Sequence, residues 1–138
     1  MGDNSTSTTQ RIPTGTPWVA SYGYSRAVRS GTRIEVSGPT ALDQQGNPVA
    51  PGDAYQQTSH ALGIIEWTLA ELGPRLDAVV RRRVFLRNIQ DWPEFGRAHH
   101  EAFRDARPAS SCVDVVELLL PQLLLEIEPS AVVSDAAD

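Results

Sequence analysis

Apolar side chains recur at helical spacing along residues 53–72, and this is the clearest periodic pattern in the chain. The intervals alternate between three and four positions, which places the members of the pattern on one stripe of an α-helix. Asp53 is a favourable N-cap residue, and Gly73 and Pro74 are typical of a helix end, because proline cannot continue the hydrogen-bond ladder. The pattern predicts a helix that packs one face on a sheet or on another helix. The stripe consists of Tyr55, Thr58, Leu62, Ile65, Leu69 and Leu72.

Short apolar runs bounded by glycine, proline or polar clusters predict strands on both sides of this helix. A second, shorter helix begins after Asp91, with Pro93 in its first turn and Phe103 near its end. The resulting order is β-β-α-β-α-β-β. Both helices can cover one face of a mixed sheet, so we predict a single layered α+β domain. The predicted strands span residues 22–29, 33–36, 79–89, 112–116 and 123–127.

Length and composition indicate one globular domain with short tails. The chain has 138 residues, enough for one hydrophobic core, which we place at residues 15–133. Residues 1–14 and 134–138 are small and polar without apolar periodicity, so we predict that both tails are disordered. The sheet face that the helices leave open would be partly apolar, and this favours an oligomer.

The charge and the apolar pattern exclude several classes of function. The net charge is -5, which disfavours non-specific binding to nucleic acid. No apolar run approaches the length of a membrane span, and the N-terminal residues lack the apolar segment of a secretory signal. The single cysteine, Cys112, cannot form an intramolecular disulfide. This fits a reducing compartment, and we expect a cytoplasmic protein.

The residue types also argue against cofactor chemistry. All 12 basic residues are arginines. Without lysine, no side chain can form a Schiff base with a carbonyl substrate or anchor pyridoxal phosphate. His99 and His100 are adjacent on a helix, so their side chains point apart and make a poor metal pair. We therefore predict neither a metal nor an organic cofactor.

The most specific pattern lies near the C-terminal end of the chain. It consists of residues 107–115 (Arg-Pro-Ala-Ser-Ser-Cys-Val-Asp-Val) and residues 125–128 (Leu-Glu-Ile-Glu). In their order and spacing, these segments and four earlier ones make residues 20–133 resemble the RidA/YjgF reactive-intermediate deaminase family. The earlier segments are Tyr24, Val36-Ser37-Gly38, Val84-Phe85-Leu86 and residues 89–95.

The resemblance implies a chorismate-mutase-like α+β fold that assembles as a homotrimer, with ligand clefts between adjacent subunits. It also implies hydrolysis of imines and enamines to a 2-keto acid and ammonia, without a cofactor, with an arginine that binds the substrate carboxylate. In this chain that arginine falls on Ser110. Because one hydroxyl cannot replace the bidentate guanidinium fork, we predict poor hydrolysis of 2-iminopropanoate and 2-iminobutanoate.

Other residues are candidates for binding a carboxylate in place of the missing arginine. Arg26 follows Tyr24 by two positions, so alternation along a strand places both side chains on one face. Arg97 lies on the second helix, at a position that the family also places near its cleft. Each arginine has a simpler interpretation as a solvated surface residue. A weaker anion-binding nest would consist of Ser110, Ser111 and the backbone of Cys112.

Two residues are candidates for the chemistry itself. By the resemblance, Glu126 helps to position the water and Tyr24 lies in the cleft, while Ser37 and Gly38 are candidate substrate contacts. Glu126 would also serve as the proton shuttle if its surroundings raise its pKa. Glu126 shares a strand face with Glu128, and two carboxylates on one face are ordinarily solvated. Tyr24 is equally consistent with a core residue that has a polar tip.

These residues are compatible with two functions of different classes. The first is a metal- and cofactor-independent hydrolase that acts on an imine, an enamine or a related carbonyl derivative, with Arg26 as the anchor. The second is a non-catalytic scaffold whose clefts bind a small anionic metabolite. A ribonuclease activity, which has been attached to some relatives, is disfavoured by the acidic charge and by the lack of a paired-histidine site.

Overall fold

The computed structural model describes residues 8–13 and 22–134, which form one layer of strands and one of helices. The helices are α1 (Ala54–Leu72) and α2 (Trp92–Phe103). The strands are β1 (Thr9–Ile12), β2 (Ala27–Ser30), β3 (Arg33–Val36), β4 (Val79–Leu86), β5 (Ala109–Asp114) and β6 (Leu125–Val132). They form one sheet in the order β1-β2-β3-β6-β4-β5, in which β4 and β5 are parallel and the other pairs are antiparallel. The predicted α+β class with a mixed sheet is confirmed.

Helix α1 begins and ends where its capping residues predict. Asp53 accepts a hydrogen bond at its carboxylate from the backbone N–H of Gln56, at 2.9 Å. Gly73 ends the helix with a φ of 118°, a left-handed conformation that a residue with a Cβ rarely adopts. Arg29, on β2, donates from Nη1 to the terminal carbonyl of Leu72 at 2.6 Å. This bond ties the end of the helix to the sheet.

The strand boundaries differ from the prediction in the first part of the chain. Residues 9–12 form β1, which pairs with β2, so the prediction of disorder through residue 14 is wrong for this segment. Strand β2 begins at Ala27, five residues later than predicted, and residues 22–26 precede it outside the sheet. Residues 1–7, 14 and 135–138 of the predicted disordered tails lie outside the described residues.

The core lies between the helices and one face of the sheet. Alternate side chains of the central strands are fully buried, as the register of β4 against β6 requires: Val84 is opposite Ile127 and Leu86 is opposite Leu125. The helices add Ile65 and Leu69 from α1, and Phe95 and Phe103 from α2. Packing of this kind is the main source of stability for a domain of this size.

The opposite face of the sheet is polar along its centre. Arg83 pairs with Glu128 across β4 and β6 at 3.2 Å, and Arg33 pairs with Glu35 at 2.9 Å. All four side chains are largely exposed, so these ion pairs contribute little to stability. In the part of the chain that the structure describes, no helix combines the length and the apolar content that a membrane span would need.

Candidate functional site

A cleft of about 290 Å³ opens beside the segment that follows β3. It brings together five of the nine residues that the sequence analysis selects: Tyr24, Arg26, Ser37, Gly38 and Glu126. The remaining lining residues are Pro39, Thr40, Leu42, Asp43, Ile64 and Leu119. The volume lies at the low end of the range for small-molecule sites, so the cleft suits a small metabolite.

Hydrogen bonds hold residues 37–40 along β6. Ser37 donates from its hydroxyl to the carbonyl of Ser25 at 2.6 Å, which fixes the loop that carries Tyr24 and Arg26. Thr40 donates from its hydroxyl to the carbonyl of Leu125 at 2.5 Å, and the backbone N–H of Ile127 donates to the carbonyl of Pro39 at 3.1 Å. The lining of the cleft is therefore set by the fold before any ligand binds.

Gly38 provides the space that the Glu126 side chain occupies. A Cβ atom at position 38 would overlap the carboxylate of Glu126, and would lie 2.8 Å from its Cγ and 2.9 Å from its Cδ. Burial raises the pKa of Glu126, and the nearby charge of Glu128 raises it further. A raised pKa brings a carboxyl group closer to the range in which it can both donate and accept a proton, as a proton shuttle must.

Arg26 is half-buried and lines the same cleft. Its backbone is held on both sides, because its N–H donates to Ile12 at 2.7 Å and its carbonyl accepts from Ser37 at 2.8 Å. Burial lowers the pKa of its guanidinium, and Tyr24 partly offsets this effect. Among the residues that the structure describes, no carboxylate forms an ion pair with Arg26, Glu126 included. The cleft thus contains a partly desolvated cation that has no ion-pair partner among the described residues, although Asp43 and Glu126 also line the cleft.

Tyr24 stands at the boundary between this cleft and a second, more open depression. Its ring is 41% exposed, so the interpretation as a core residue is wrong. The second depression, about 490 Å³, includes Arg11, Glu35, Arg83 and Glu128 and shares Tyr24 and Ser37 with the first. Tyr24 therefore lines both depressions.

The three predicted residues of β5 do not line this cleft within one chain. Ser111 accepts at its hydroxyl from Arg81 at 2.9 Å, and its carbonyl accepts from Arg82 at 3.3 Å. Burial raises the pKa of the Cys112 thiol, which makes it a weaker nucleophile than an ordinary cysteine. Ser110 lies beside Arg82 in the parallel register of β5 on β4, two strands from Glu126.

Arg97 lies elsewhere, on the outer surface of the two helices. Its guanidinium stacks over the ring of Tyr55 at 3.9 Å and pairs with Glu94 at 2.7 Å. Tyr55 in turn donates to the carboxylate of Glu101. Arg97 joins α2 to α1 in this arrangement, and the structure does not bring it to the cleft.

The apolar residues of the cleft were missed by the sequence analysis. Ile64 lies one position away from the buried stripe of α1, Leu42 is in a polar turn, and Leu119 is in a loop. None of these positions has a periodic signal, because a cleft wall is assembled from separate segments. A group of three or more histidine, cysteine or acidic side chains placed to hold a metal does not occur in residues 8–13 and 22–134.

Comparison with known proteins places this geometry in context. The family model described as Endoribonuclease L-PSP matches residues 15–133. The 3-aminoacrylate deaminase RutC of Acinetobacter baylyi is 36% identical over 116 residues, which cover 84% of this chain and 90% of the relative. An uncharacterized protein of Streptomyces coelicolor is 36% identical over 123 residues, which cover 88% of this chain and 90% of the relative.

Solved structures agree with the sequence comparisons. Rv2704 of Mycobacterium tuberculosis, described as a member of the YjgF/YER057c/UK114 family, superposes with a TM-score of 0.83 at 37% identity, over 91% of this chain and 100% of the other. Yeast Mmf1 superposes with a TM-score of 0.82 at 29% identity, over 92% of this chain and 100% of the other. The similarity extends over nearly the whole described fold.

Proposed function

The chain belongs to the Endoribonuclease L-PSP (RidA/YjgF) family, and from this premise we propose that its cleft binds a small carboxylate metabolite and hydrolyses an imine, an enamine or a related carbonyl derivative. The protein uses neither a metal nor an organic cofactor for this reaction. Arg26 binds the carboxylate, Glu126 transfers the protons, and Tyr24, Ser37 and Gly38 shape the site. The relative named 3-aminoacrylate deaminase supports a deaminase reaction of this class.

The observation that carries the proposal is the unpaired state of Arg26 within the described residues. A guanidinium that has lost part of its hydration gains most from a bidentate contact with a carboxylate. Since Glu126 lines the cleft without forming an ion pair to Arg26, the anion is left for a ligand to supply. The cleft thus offers one guanidinium, that of Arg26, to the carboxylate of a substrate.

The reaction requires only water and a group that moves protons. Water adds to the carbon of the C=N bond, and the electron pair of that bond moves to nitrogen, which takes up a proton. The C–N bond of the resulting carbinolamine then breaks, the hydroxyl oxygen forms the C=O bond, and ammonia leaves. The raised pKa of Glu126 suits both transfers, because this carboxyl can accept the proton of water and give one to nitrogen.

Ser110 restricts the range of substrates. The carboxylate-binding arginine that the resemblance implies at this position is absent, and β5 offers only hydroxyl and backbone groups there. Arg26 reaches the cleft from the segment before β2, so a carboxylate bound to it adopts a different position. We therefore retain the prediction that 2-iminopropanoate and 2-iminobutanoate are poor substrates.

We further propose that the protein is a cytoplasmic homotrimer with its clefts between subunits. Several large apolar side chains are strongly exposed on β5 and the loop after it, and a surface of this kind favours burial against another copy. Among these side chains are Val113 and Val116, with exposed fractions of 46% and 90%. Sedimentation equilibrium at the mass of a single chain would contradict this assembly.

A non-catalytic scaffold that only binds an anionic metabolite is the second candidate, and Ser110 favours it. The cleft and its unpaired cation would serve both functions, so turnover alone separates them. The family description names an endoribonuclease, but the net charge of -5 opposes RNA binding, and the cleft has no pair of histidines for acid-base cleavage of RNA.

Arg26→Ala tests the proposed anchor. We expect the affinity for 2-oxobutanoate, a stable analogue of the product, to fall by about tenfold to a hundredfold, because a hydrogen bond to a charged group contributes about 1.5–3 kcal/mol. Isothermal titration calorimetry measures this loss. Arg97→Ala is the matched control, since it removes another exposed arginine outside the cleft and should leave the affinity unchanged.

The same variants separate enzyme from scaffold. Imines generated by an amino-acid oxidase should be hydrolysed by the wild-type protein, and both Arg26→Ala and Glu126→Ala should abolish the activity. If binding depends on Arg26 but no turnover is detected, only the non-catalytic scaffold function remains. Equal affinity of the Arg26→Ala variant and the wild type would refute the anchor in both versions of the proposal.

A further inference from the structure

Three apolar side chains form one wall of the cleft and have no role in the reaction described above. They are Leu42, Ile64 and Leu119, which come from the turn after residue 40, from α1 and from the loop before β6. Leu119 is 67% exposed, which is unusual for a leucine whose side chain borders a concave site. The three share the cleft with Arg26 and Glu126.

We propose that this wall selects ligands with a branched aliphatic side chain, so that the preferred substrates are imines or enamines of acids larger than the three-carbon ones. The inference rests on the proposed function, because the carboxylate of the same ligand binds Arg26. An aliphatic group placed on the wall removes apolar surface of both partners from water, and each buried methylene strengthens binding about fourfold.

The wall is held in place before a ligand binds. The side chain of Gln57 is fully buried; its amide N–H groups donate to the carbonyls of Gln122 at 3.0 Å and Val49 at 3.1 Å, and its carbonyl accepts from the N–H of Leu124 at 2.9 Å. At the other end of the Leu119 loop, the N–H of Val115 donates to Leu86 at 2.8 Å. A wall that is already ordered loses little conformational entropy on binding.

A hydrogen bond from α1 holds the part of the wall that contains Leu42. His60 donates from Nε2 to the carbonyl of Leu42 at 2.8 Å, which fixes the turn on the helix that carries Ile64. The cleft of about 290 Å³ leaves space for one short side chain in addition to the carboxylate and the reacting carbon. The geometry therefore points to a compact aliphatic group.

Competing 2-oxo acids test the selection. Pyruvate and 4-methyl-2-oxopentanoate carry the same carboxylate and carbonyl and differ in their side chains. We expect the branched acid to bind at least about tenfold more tightly than pyruvate in calorimetric titrations, since its side chain has three more carbons and each buried methylene strengthens binding about fourfold. Equal affinities would overturn the inference.

Leu119→Ala tests the assignment to the wall. We expect the preference for the branched acid to fall several-fold while the affinity for pyruvate stays the same. Ile89→Ala is the control, because Ile89 is a 40% exposed apolar residue that lines neither the cleft nor the proposed surface between subunits. An unchanged preference in Leu119→Ala would remove Leu119 from the wall and overturn the inference.

The two failures are distinguishable. If both acids bind equally and both lose affinity in Arg26→Ala, the proposed function stands and only the selection by the wall is wrong. If neither acid binds the wild-type protein at millimolar concentration, the proposed function fails and the inference fails with it. If the branched acid binds more tightly and Leu119→Ala reduces that preference, both are supported.

Discussion

Two arginines of this fold are desolvated without a carboxylate partner among the described residues, and their surroundings differ in one respect. Arg82, on β4, is 3% exposed and donates to His99 at 2.8 Å and to the carbonyl of Ser111 at 3.3 Å. Its guanidinium also lies 5.1 Å from the centre of the Phe95 ring. Arg26, in the cleft, has no such side-chain partners in the described structure. Burial alone does not make an arginine a binding residue; unsatisfied hydrogen-bonding capacity does.

This difference indicates that one arginine stabilises the fold and that the other is available to a ligand. Burial lowers the pKa of Arg82 to about 10, so it remains charged at neutral pH, and its hydrogen bonds hold β4, β5 and α2 together. Arg26 holds no second element through its side chain. We infer that Arg82 stabilises the fold and that Arg26 binds a ligand.

Arg82→Ala should have the largest effect. It leaves a cavity against Phe95 and removes the donor to His99, so we expect a loss of about 3 kcal/mol in the free energy of unfolding. Arg26→Ala should change this free energy by less than about 0.5 kcal/mol. Urea denaturation at one fixed protein concentration measures both, because oligomers unfold in a concentration-dependent way. Similar losses in the free energy of unfolding in the two variants would contradict the assignment of Arg82 to stability and Arg26 to binding.

His99 should make stability depend on pH. Burial, together with the charges of Arg82 and His100, lowers the pKa of His99 from 6.5 to about 4. Between these two values the unfolded chain binds a proton at this imidazole and the folded chain does not. Stability is therefore complete above pH 6.5 and is lost as the pH falls towards 4.

His99→Gln measures this loss directly. The glutamine amide oxygen can still accept from Arg82, but the side chain does not titrate. We expect the wild type to lose roughly 2 kcal/mol more than the variant between pH 6.5 and pH 4, a value reduced from the full shift because His99 is partly exposed. If the free energies of unfolding of the wild type and the variant change with pH in parallel, His99 is less desolvated in the folded state than its contacts indicate.

Sequence reasoning predicted the elements whose signals are local. Helix α1 was predicted within one residue, because Asp53 and Gly73 act on their immediate neighbours. Strand β3 was predicted at its observed bounds. Strand β1 was missed because Thr9–Ile12 has almost no apolar alternation and is exposed along most of its length. Its place in the sheet depends on its pairing with β2.

The two arginines show what local reasoning could not supply. In the run Arg81-Arg82-Arg83, alternation predicts only that neighbouring side chains lie on opposite faces of the sheet. The register of β4 against β6 is irregular between Val79 and Arg81, and this irregularity changes which face each side chain lies on. The proximity of Arg26 to Glu126 depends on the pairing of residues 37–40 with β6, which joins segments about 90 positions apart in the chain. The resemblance implied Tyr24 and Glu126 in one cleft, and alternation along a predicted strand added Arg26. Residues 22–26 lie outside the sheet, so the hydrogen bonds and not strand alternation explain the position of Arg26.

Glu126 should show the smallest effect, and its sign is opposite to that of His99. Its pKa is raised above 4.5, so the folded chain keeps a proton that the unfolded chain has lost. This contribution to stability is complete below pH 4.5 and is lost as the pH rises through the raised pKa of the folded state. Glu126→Gln should therefore be slightly more stable than the wild type at pH 7, and the difference should disappear towards pH 4.5.

Thermal unfolding of Glu126→Gln across this pH range sharpens the comparison of the two arginines. A variant less stable than the wild type at pH 7 would mean that a positive charge stabilises the Glu126 carboxylate in the folded state. Arg26 lines the same cleft, so it would be the source of that charge. Arg26 would then be neutralised within the protein, as Arg82 is satisfied by His99 and Ser111, and the reason to expect a ligand carboxylate in the cleft would be lost.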